Sequence, residues 1–271
     1  MPLTATPPSH LSVPKPALIE LQGLEKTYAT RGTQKVPAMG PLDLTIDQGE
    51  FITVVGPSGC GKSTLLRMLA GLLSHSSGTI RMRGQVVQGP QRDIGVVFQS
   101  PVLLPWKTTI ENVMLPADVL KLDRPPARRR AQELLAMVGL QDFVNRYPGE
   151  LSGGMQQRVA IARSLLHDPA VLLMDEPFGA LDAMTRESMN MELRRIWQES
   201  GKTILFITHS IPEAVFLGTR VLVLSPRPGR IADLIDIDLP EQRDIDLIST
   251  DRFGAYTRRI RNHFQAKGMI E

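Results

Sequence analysis

Hydrophobic positions fall into short runs separated by turn residues, and two periods recur along the chain. Residues 51–55, Phe-Ile-Thr-Val-Val, are β-branched and apolar and predict a buried strand. Residues 63–73, rich in Leu, Met and Ala, predict a helix directly after it. Upstream, residues 18–21 start the fold as a strand, a polar stretch covers 31–35, and 42–46 alternate as a half-exposed antiparallel strand does. The turn Asp47-Gln48-Gly49-Glu50 leads into the strand at 51–55. Residues 78–82 and 85–87 predict a hairpin around Arg83-Gly84, and 94–98 a buried strand ending at Gln99.

The period then changes. Residues 109–166 read as mainly helical, broken at Pro125-Pro126 and at Tyr147-Pro148-Gly149. Strands return at 171–174 and 203–208 with a helix at 183–199 between them, and 221–224 closes the sheet. The fold class is therefore α/β: a mixed sheet flanked by helices, with an antiparallel β subdomain and an inserted helical subdomain at about 100–166. Residues 1–17, with prolines at 2, 7, 8, 14 and 16, read as a disordered extension. The main domain spans 18–236, and 237–271 form a charged helical tail. No internal repeat is visible.

Composition narrows the class without choosing a function. The 271 residues are 42% hydrophobic and 22% charged, ordinary for a globular chain with a sizeable core. A net charge of +3 does not by itself argue for nucleic acid. The basic runs Arg128-Arg129-Arg130 and Arg258-Arg259-Arg261 lie on predicted helices without interleaved aromatics, so they read as solvated faces. Met184, Met189 and Met191 read as helix packing. The single cysteine, Cys60, allows no intramolecular disulfide and fits a reducing compartment. No apolar run approaches the roughly 18 residues of a membrane span.

The chemistry begins between the strand at 51–55 and the helix after it. Gly56-Pro57-Ser58-Gly59-Cys60-Gly61-Lys62-Ser63-Thr64 fits G-x-x-x-x-G-K-[ST] without departure, in the strand–loop–helix setting that the pattern requires. Glycines let backbone N–H groups converge on one anion, and the helix N-terminus adds unpaired donors and partial positive charge. Lys62 would bridge the β- and γ-phosphates of a nucleotide, and the Ser63 hydroxyl would bind Mg²⁺. Lys62 and the helix N-terminus are also expected to lower the pKa of Cys60.

Two further segments add anion and metal chemistry. Asp175 and Glu176 end the apolar strand at 171–174, at the sheet edge where ligands of open α/β sheets bind. Asp175 is placed to complete Mg²⁺ coordination and Glu176 to act as general base on water. Ser152 is a good N-cap, and Gly153 and Gly154 would leave the next turn's N–H groups uncovered, giving a second anion site.

In kind and in order, these three segments resemble the nucleotide-binding subunit of an ATP-binding cassette (ABC) transporter, over nearly all of residues 18–231. The resemblance implies ATP and Mg²⁺ as ligands and two chains sandwiching two ATP molecules head to tail, the Ser152 segment of one facing the phosphate loop of the other. It gives Gln99 an approach to Mg²⁺ and water, His209 a contact with the γ-phosphate, Tyr28 a stack on adenine, and Asp182 a place in a loop that crosses to the partner chain. The implied location is peripheral, on the cytoplasmic face of the inner membrane. The pore must then be transmembrane permease subunits. Their docking surface is expected at residues 99–106, unless Leu103 and Trp106 simply pack into the helical lobe. Residues 92–99, Leu104-Pro105-Trp106 and Ser225-Pro226-Arg227-Pro228-Gly229-Arg230-Ile231 are similar to the nitrate, sulfonate, taurine and bicarbonate importer group, which uses an extracytoplasmic substrate-binding protein. The alternatives are an exporter subunit, or an ABC ATPase of DNA repair or translation, whose usual coiled-coil insertion or second cassette does not fit in this chain.

Overall fold

The computed structural model of the chain describes residues 16–29, 35–179 and 181–265. The extension expected over 1–17 lies outside the described residues up to position 15, and Ala17 already opens the first strand.

The strand β1 (Ala17–Ala29) is far longer than the four residues its apolar run predicted. It bends near Gly23, whose φ of 54° suits glycine, and so serves two sets of partners. Its first half pairs antiparallel with β3 (Leu44–Asp47) and β5 (Ser77–Met82), and its second half with β2 (Lys35–Met39). The two-residue β6 (Gln85–Val86) completes the hairpin with β5 around Arg83-Gly84. Strand β2, of which only Lys35 falls in the polar stretch 31–35, was not expected from sequence; it carries Pro37, which an edge strand tolerates.

The second sheet holds the chemistry. Its order is β11 (Ile231–Asp236), β10 (Arg220–Leu224), β4 (Phe51–Val55), β9 (Thr203–Ile207), β8 (Val171–Asp175), β7 (Ile94–Val97). Five of these strands run parallel, and β11 adds antiparallel at one end. The run at 221–224 therefore does not close the sheet, as expected from sequence; β11 covers it. All five residues of β4 and of β9 are buried, as strands covered on both faces require. Phe51 and Val55 belong to one apolar core, with the helical lobe, while Ile52 and Val54 belong to the other, with the antiparallel sheet. One strand's alternation thus ties the two cores together.

Helix α1 (Lys62–Leu69) follows the loop and stops short of the predicted residue 73. Gly71 ends it at φ 69°, where a side chain would collide with Gly89 O. The inserted lobe comprises α2 (Thr109–Val113), α3 (Leu115–Leu120), α4 (Arg124–Met137) and α5 (Gly153–Leu165). Pro125-Pro126 does not break a helix, as expected, but sits in the first turn of α4 behind the N-cap Asp123, where missing N–H groups cost nothing. Beyond β8 come α6 (Ala183–Ser200), α7 (Ile211–Leu217) and, in the tail, α8 (Asp251–Gln265). Of the three methionines read as packing on α6, only Met189 is buried; Met184 and Met191 are exposed.

Candidate functional site

The phosphate loop is built by backbone geometry. Gly59 and Gly61 have φ of 75° and 107°, and Gly61 is the N-cap of α1. The first bond into this helix runs from Leu65 N to Gly61 O at 2.8 Å, so the amides of Lys62, Ser63 and Thr64 stay available to a ligand. The Lys62 ammonium curls back over the loop, donating to Gly56 O at 2.8 Å and Pro57 O at 3.2 Å. A cation resting on carbonyls beside free amides marks where an anion's oxygens belong.

Ser63, in the first turn of α1, meets Asp175 at the end of β8. The Ser63 hydroxyl donates to Asp175 Oδ1 at 3.0 Å. Burial pushes the Asp175 carboxyl up, against the lowering effect of this bond, and the neighbouring Glu176 charge adds to the rise. A hydroxyl and a carboxylate whose charge is poorly compensated fit a divalent cation. Among the described residues no cluster of three or more His, Cys, Asp or Glu could hold a metal.

Glu176 adopts φ 46°, rare for a side chain of this size, and its amide donates to Ile207 O at 3.0 Å. The backbone is thereby turned at the sheet edge, and Glu176 Oε2 lies 3.3 Å from His209 Nδ1. Gln99 lies two residues beyond β7, which ends at Val97 rather than at 98 as expected; Phe98 is exposed. A side chain added at Gly179 would lie 3.5 Å from Gln99 Nε2, so Gln99 borders the turn after Glu176. Tyr28 joins the loop from β1, its hydroxyl 3.3 Å from Thr64 Oγ1 and its ring 5.2 Å from the Lys26 ammonium. A cavity of about 200 Å³ opens between Gly56, Pro57, Ser58, His209, Ile211 and Phe264.

Cys60 departs from its expectation. Only 1% exposed, it belongs to the core beneath the loop, and a side chain on Gly56 would touch its sulfur. Burial pushes the thiol up, outweighing the charge of Lys62, so the lowered pKa expected from sequence is overturned.

Ser152, Gly153 and Gly154 stand apart from this group. Ser152 caps α5, its hydroxyl accepting from Met155 N at 3.2 Å. Gly153 faces open space, but Gly154 is buried, and a side chain there would press on Thr185 at 3.0 Å. Asp182 caps α6 within its own chain, accepting from Thr185 N at 3.0 Å and Thr185 Oγ1 at 2.7 Å. Its neighbour Ala180 lies outside the described residues.

Along residues 99–106 the two expectations divide. Leu103 packs against the core shared with the helical lobe, whereas Trp106 is 71% exposed and Val102 59%. The loop is anchored from α5: Arg163 donates to Pro101 O at 2.7 Å and Val102 O at 2.9 Å. Sequence reasoning missed Arg163, and it missed Thr208 and Glu213 on either side of His209. The spacing Ser210-x-x-Glu213 is a capping-box pattern and would have pointed to Glu213, though not to Thr208.

Comparison with known proteins adds four findings. A protein-family model described as ABC transporter matches residues 39–179. A taurine import ATP-binding protein of Rhizobium johnstonii is 51% identical over 211 residues, 78% of this chain and 80% of that protein. An aliphatic sulfonates import ATP-binding protein of Bacillus licheniformis is 47% identical over 219 residues, 81% of this chain and 84% of that protein. Among solved structures, the dimeric post-hydrolysis state of the ATP-binding cassette MJ0796 bound to ADP and Pi superposes with a TM-score of 0.71 at 35% identity. It covers 82% of this chain and 100% of its own.

Proposed function

This chain belongs to the ABC transporter ATP-binding family, and from that membership we propose that it is the ATP-hydrolysing subunit of a bacterial importer of a small anion. The observation that carries the hydrolytic part is the placement of Ser63–Asp175 and Glu176–His209 side by side at the mouth of the phosphate loop.

In this reading Lys62 swings from the loop carbonyls to the β- and γ-phosphates, beside the free amides of α1. Mg²⁺, held by Ser63 and Asp175 with Gln99 nearby, would neutralise phosphate charge. Glu176 takes the proton of the attacking water, and His209, 3.3 Å from Glu176, faces the γ-phosphate. Tyr28 stacks on the adenine.

The site in one chain is half a site. Among the described residues the capped turn at Ser152 makes no hydrogen bond with Lys62, Ser63, Asp175 or Glu176, its hydroxyl serving Met155 N. A second copy, supplying Ser152 and Gly153 and crossing near Asp182, completes each site. ATP then favours the closed pair because only that state offers it both surfaces.

Among the described residues no helix is long and apolar enough to cross a membrane. The pore belongs to permease subunits, which dock on the loop presenting Val102 and Trp106, so this chain sits peripherally on the cytoplasmic face. The relatives' names support a sulfonate such as taurine as the transported anion. Nitrate and bicarbonate are of the same small-anion class, and an extracytoplasmic binding protein delivers the solute. Glu176→Gln is the direct test. It retains shape and removes the base, so phosphate release should fall by about 10²- to 10⁴-fold while MgATP still binds. Near-normal turnover would sink the assignment.

A further inference from the structure

His209 stands on a three-residue turn between β9 and α7, and it is more than half exposed. An exposed imidazole on a turn has no packing of its own to fix its aim. The residues around it form a closed chain of hydrogen bonds. Ser210 N donates to Thr208 Oγ1 at 2.9 Å, the Thr208 hydroxyl donates to Glu213 Oε2, and Glu213 N donates to Ser210 Oγ at 3.3 Å. In an ordinary capping box the N3 carboxylate would accept directly from the N-cap amide. Here the Thr208 hydroxyl is interposed, and the relay spans both sides of His209.

Glu213 is a costly choice for this place unless it has work there. Its residue is 7% exposed, and burial pushes its carboxyl up, opposed by the Thr208 bond and the charge of Arg186. Its second oxygen, Oε1, is buried without a hydrogen-bond partner, as are Asn190 Oδ1 and Arg186 Nε. All three residues line one cavity of about 170 Å³, roofed by Ile245 and Ile248 of the tail. These three atoms border that space, whose lining is otherwise mainly apolar, with Phe216, Ile245 and Ile248 among its walls. Arg186 also donates to Leu181 O at 2.9 Å, next to Asp182 at the start of α6. The cavity therefore lies between the loop read as crossing to the partner and the turn that carries His209.

We propose that Thr208 and Glu213 are positioning residues for His209, their carboxylate–hydroxyl relay fixing the turn that holds the imidazole at the reacting phosphate. The proposal rests on the ATPase reading of this site. A small misplacement of a catalytic group costs up to about 10²-fold, so loss of the relay is expected in turnover rather than in nucleotide affinity.

The test uses the full chain and four variants beside His209→Ala. Thr208→Val and Glu213→Ala break the relay, while Thr208→Ser and Glu213→Gln keep a donor and an acceptor. Thr208→Val and Glu213→Ala should lower kcat by about 10- to 100-fold with KM for MgATP within about 2-fold. Thr208→Ser and Glu213→Gln should restore most of it. The His209 ring ¹⁵N shifts, assigned by comparison with His209→Ala, should move in the first pair and not in the second. If the first pair turns over normally while His209→Ala is inactive, the proposal is overturned and the ATPase reading stands. If His209→Ala turns over normally, the role given to His209 fails and the proposal with it; the ATPase reading itself fails only if the unaltered chain hydrolyses no ATP. A loss of kcat matched by an equal loss in Thr208→Ser and Glu213→Gln, with unmoved ring shifts, would mark a purely structural role and also overturn it. Thr208→Val is nearly isosteric and decides alone should Glu213→Ala not fold.

Discussion

At the scale of single residues, the site holds groups in states that folding alone would not choose. Asp175 is the clearest. Its carboxyl is raised in the folded chain, so the folded state binds that proton more tightly than the unfolded state, whose pKa is near 3.8. The penalty on stability is absent below that value, grows as pH rises through the folded-state value, and is complete when the group is fully ionised. Asp175→Asn keeps an acceptor for Ser63 and removes the charge. The nucleotide-free variant should therefore melt higher at pH 8, by no more than roughly 4 °C because the group is partly solvated, and the gain should vanish toward pH 4. Calorimetry at both pH values checks this; an equal gain at both would assign the effect to something other than the charge. Its turnover should be lost. Cys60 gives the opposite case, a residue inside the functional motif whose side chain is core. Iodoacetamide should leave it unmodified in the folded chain with or without MgATP and label it fully after unfolding in urea, read by intact mass. Protection that appears only with MgATP would place the thiol at the nucleotide after all. From sequence, Gly56 to Thr64, Asp175 and Glu176 were legible because they are fixed by backbone type and strand ends. The side of the loop on which Cys60 lies was not, since that depends on Gly56 having no side chain to meet its sulfur.

At the scale of elements, long periodic runs were legible and short supported ones were not. The apolar strands β4, β8 and β9 and the helix α6 stand where periodicity put them, give or take a residue at the ends. Helix α7 has only seven residues, too few for a 3.6-residue period, and its Val-Phe-Leu run favours a strand by propensity. Its helicity is imposed from outside. Ser210 caps its start, Pro212 suits its first turn, and Arg243 donates to Val215 O, Phe216 O and Gly218 O while Arg194 donates to Leu217 O. Both arginines are distant in sequence, and Arg243 lies in the tail. Likewise β11 exists because β10 offers it an edge, and nothing in its own alternation announces it. Helix α5 links two functional regions: Ser152 caps its start, and Arg163 near its end grips Pro101 and Val102. Val102 has φ 47°, unfavourable for a β-branched residue, so the loop keeps its shape only while held. Arg163→Ala should leave the ATPase of the isolated subunit within about 2-fold of normal, since no phosphate contact is assigned to it. It should weaken co-purification with the permease, as should Trp106→Ala, and lower transport. Unchanged capture in both variants would remove this loop from the docking surface.

At the scale of the whole molecule, the decisive relation joins two regions that one chain keeps apart. The phosphate loop is set between the two cores, whereas the Ser152 turn opens a helix of the inserted lobe. No spacing in the sequence shows that these meet; the resemblance supplied that expectation, and the dimeric state of the similar solved cassette is in keeping with it. Blocking hydrolysis without blocking binding should make the pairing visible. In Glu176→Gln, Lys62, Ser63 and Asp175 are untouched, so MgATP binds and each molecule's γ-phosphate awaits the partner's capped turn. Size exclusion with light scattering should show a monomer without nucleotide and a stable dimer with MgATP. Adding Ser152→Arg removes the cap and puts a bulky cation where the partner's phosphate must approach. Its new charge could attract phosphate, but the side chain would occupy the gap that closure needs, and the uncapped Met155 amide loses its acceptor. The double variant should therefore bind MgATP with ordinary affinity and remain monomeric. A dimer that forms without ATP, or one that survives Ser152→Arg, would mean that the two halves of the site do not meet across a nucleotide sandwich, and that the Ser152 turn serves only its own helix.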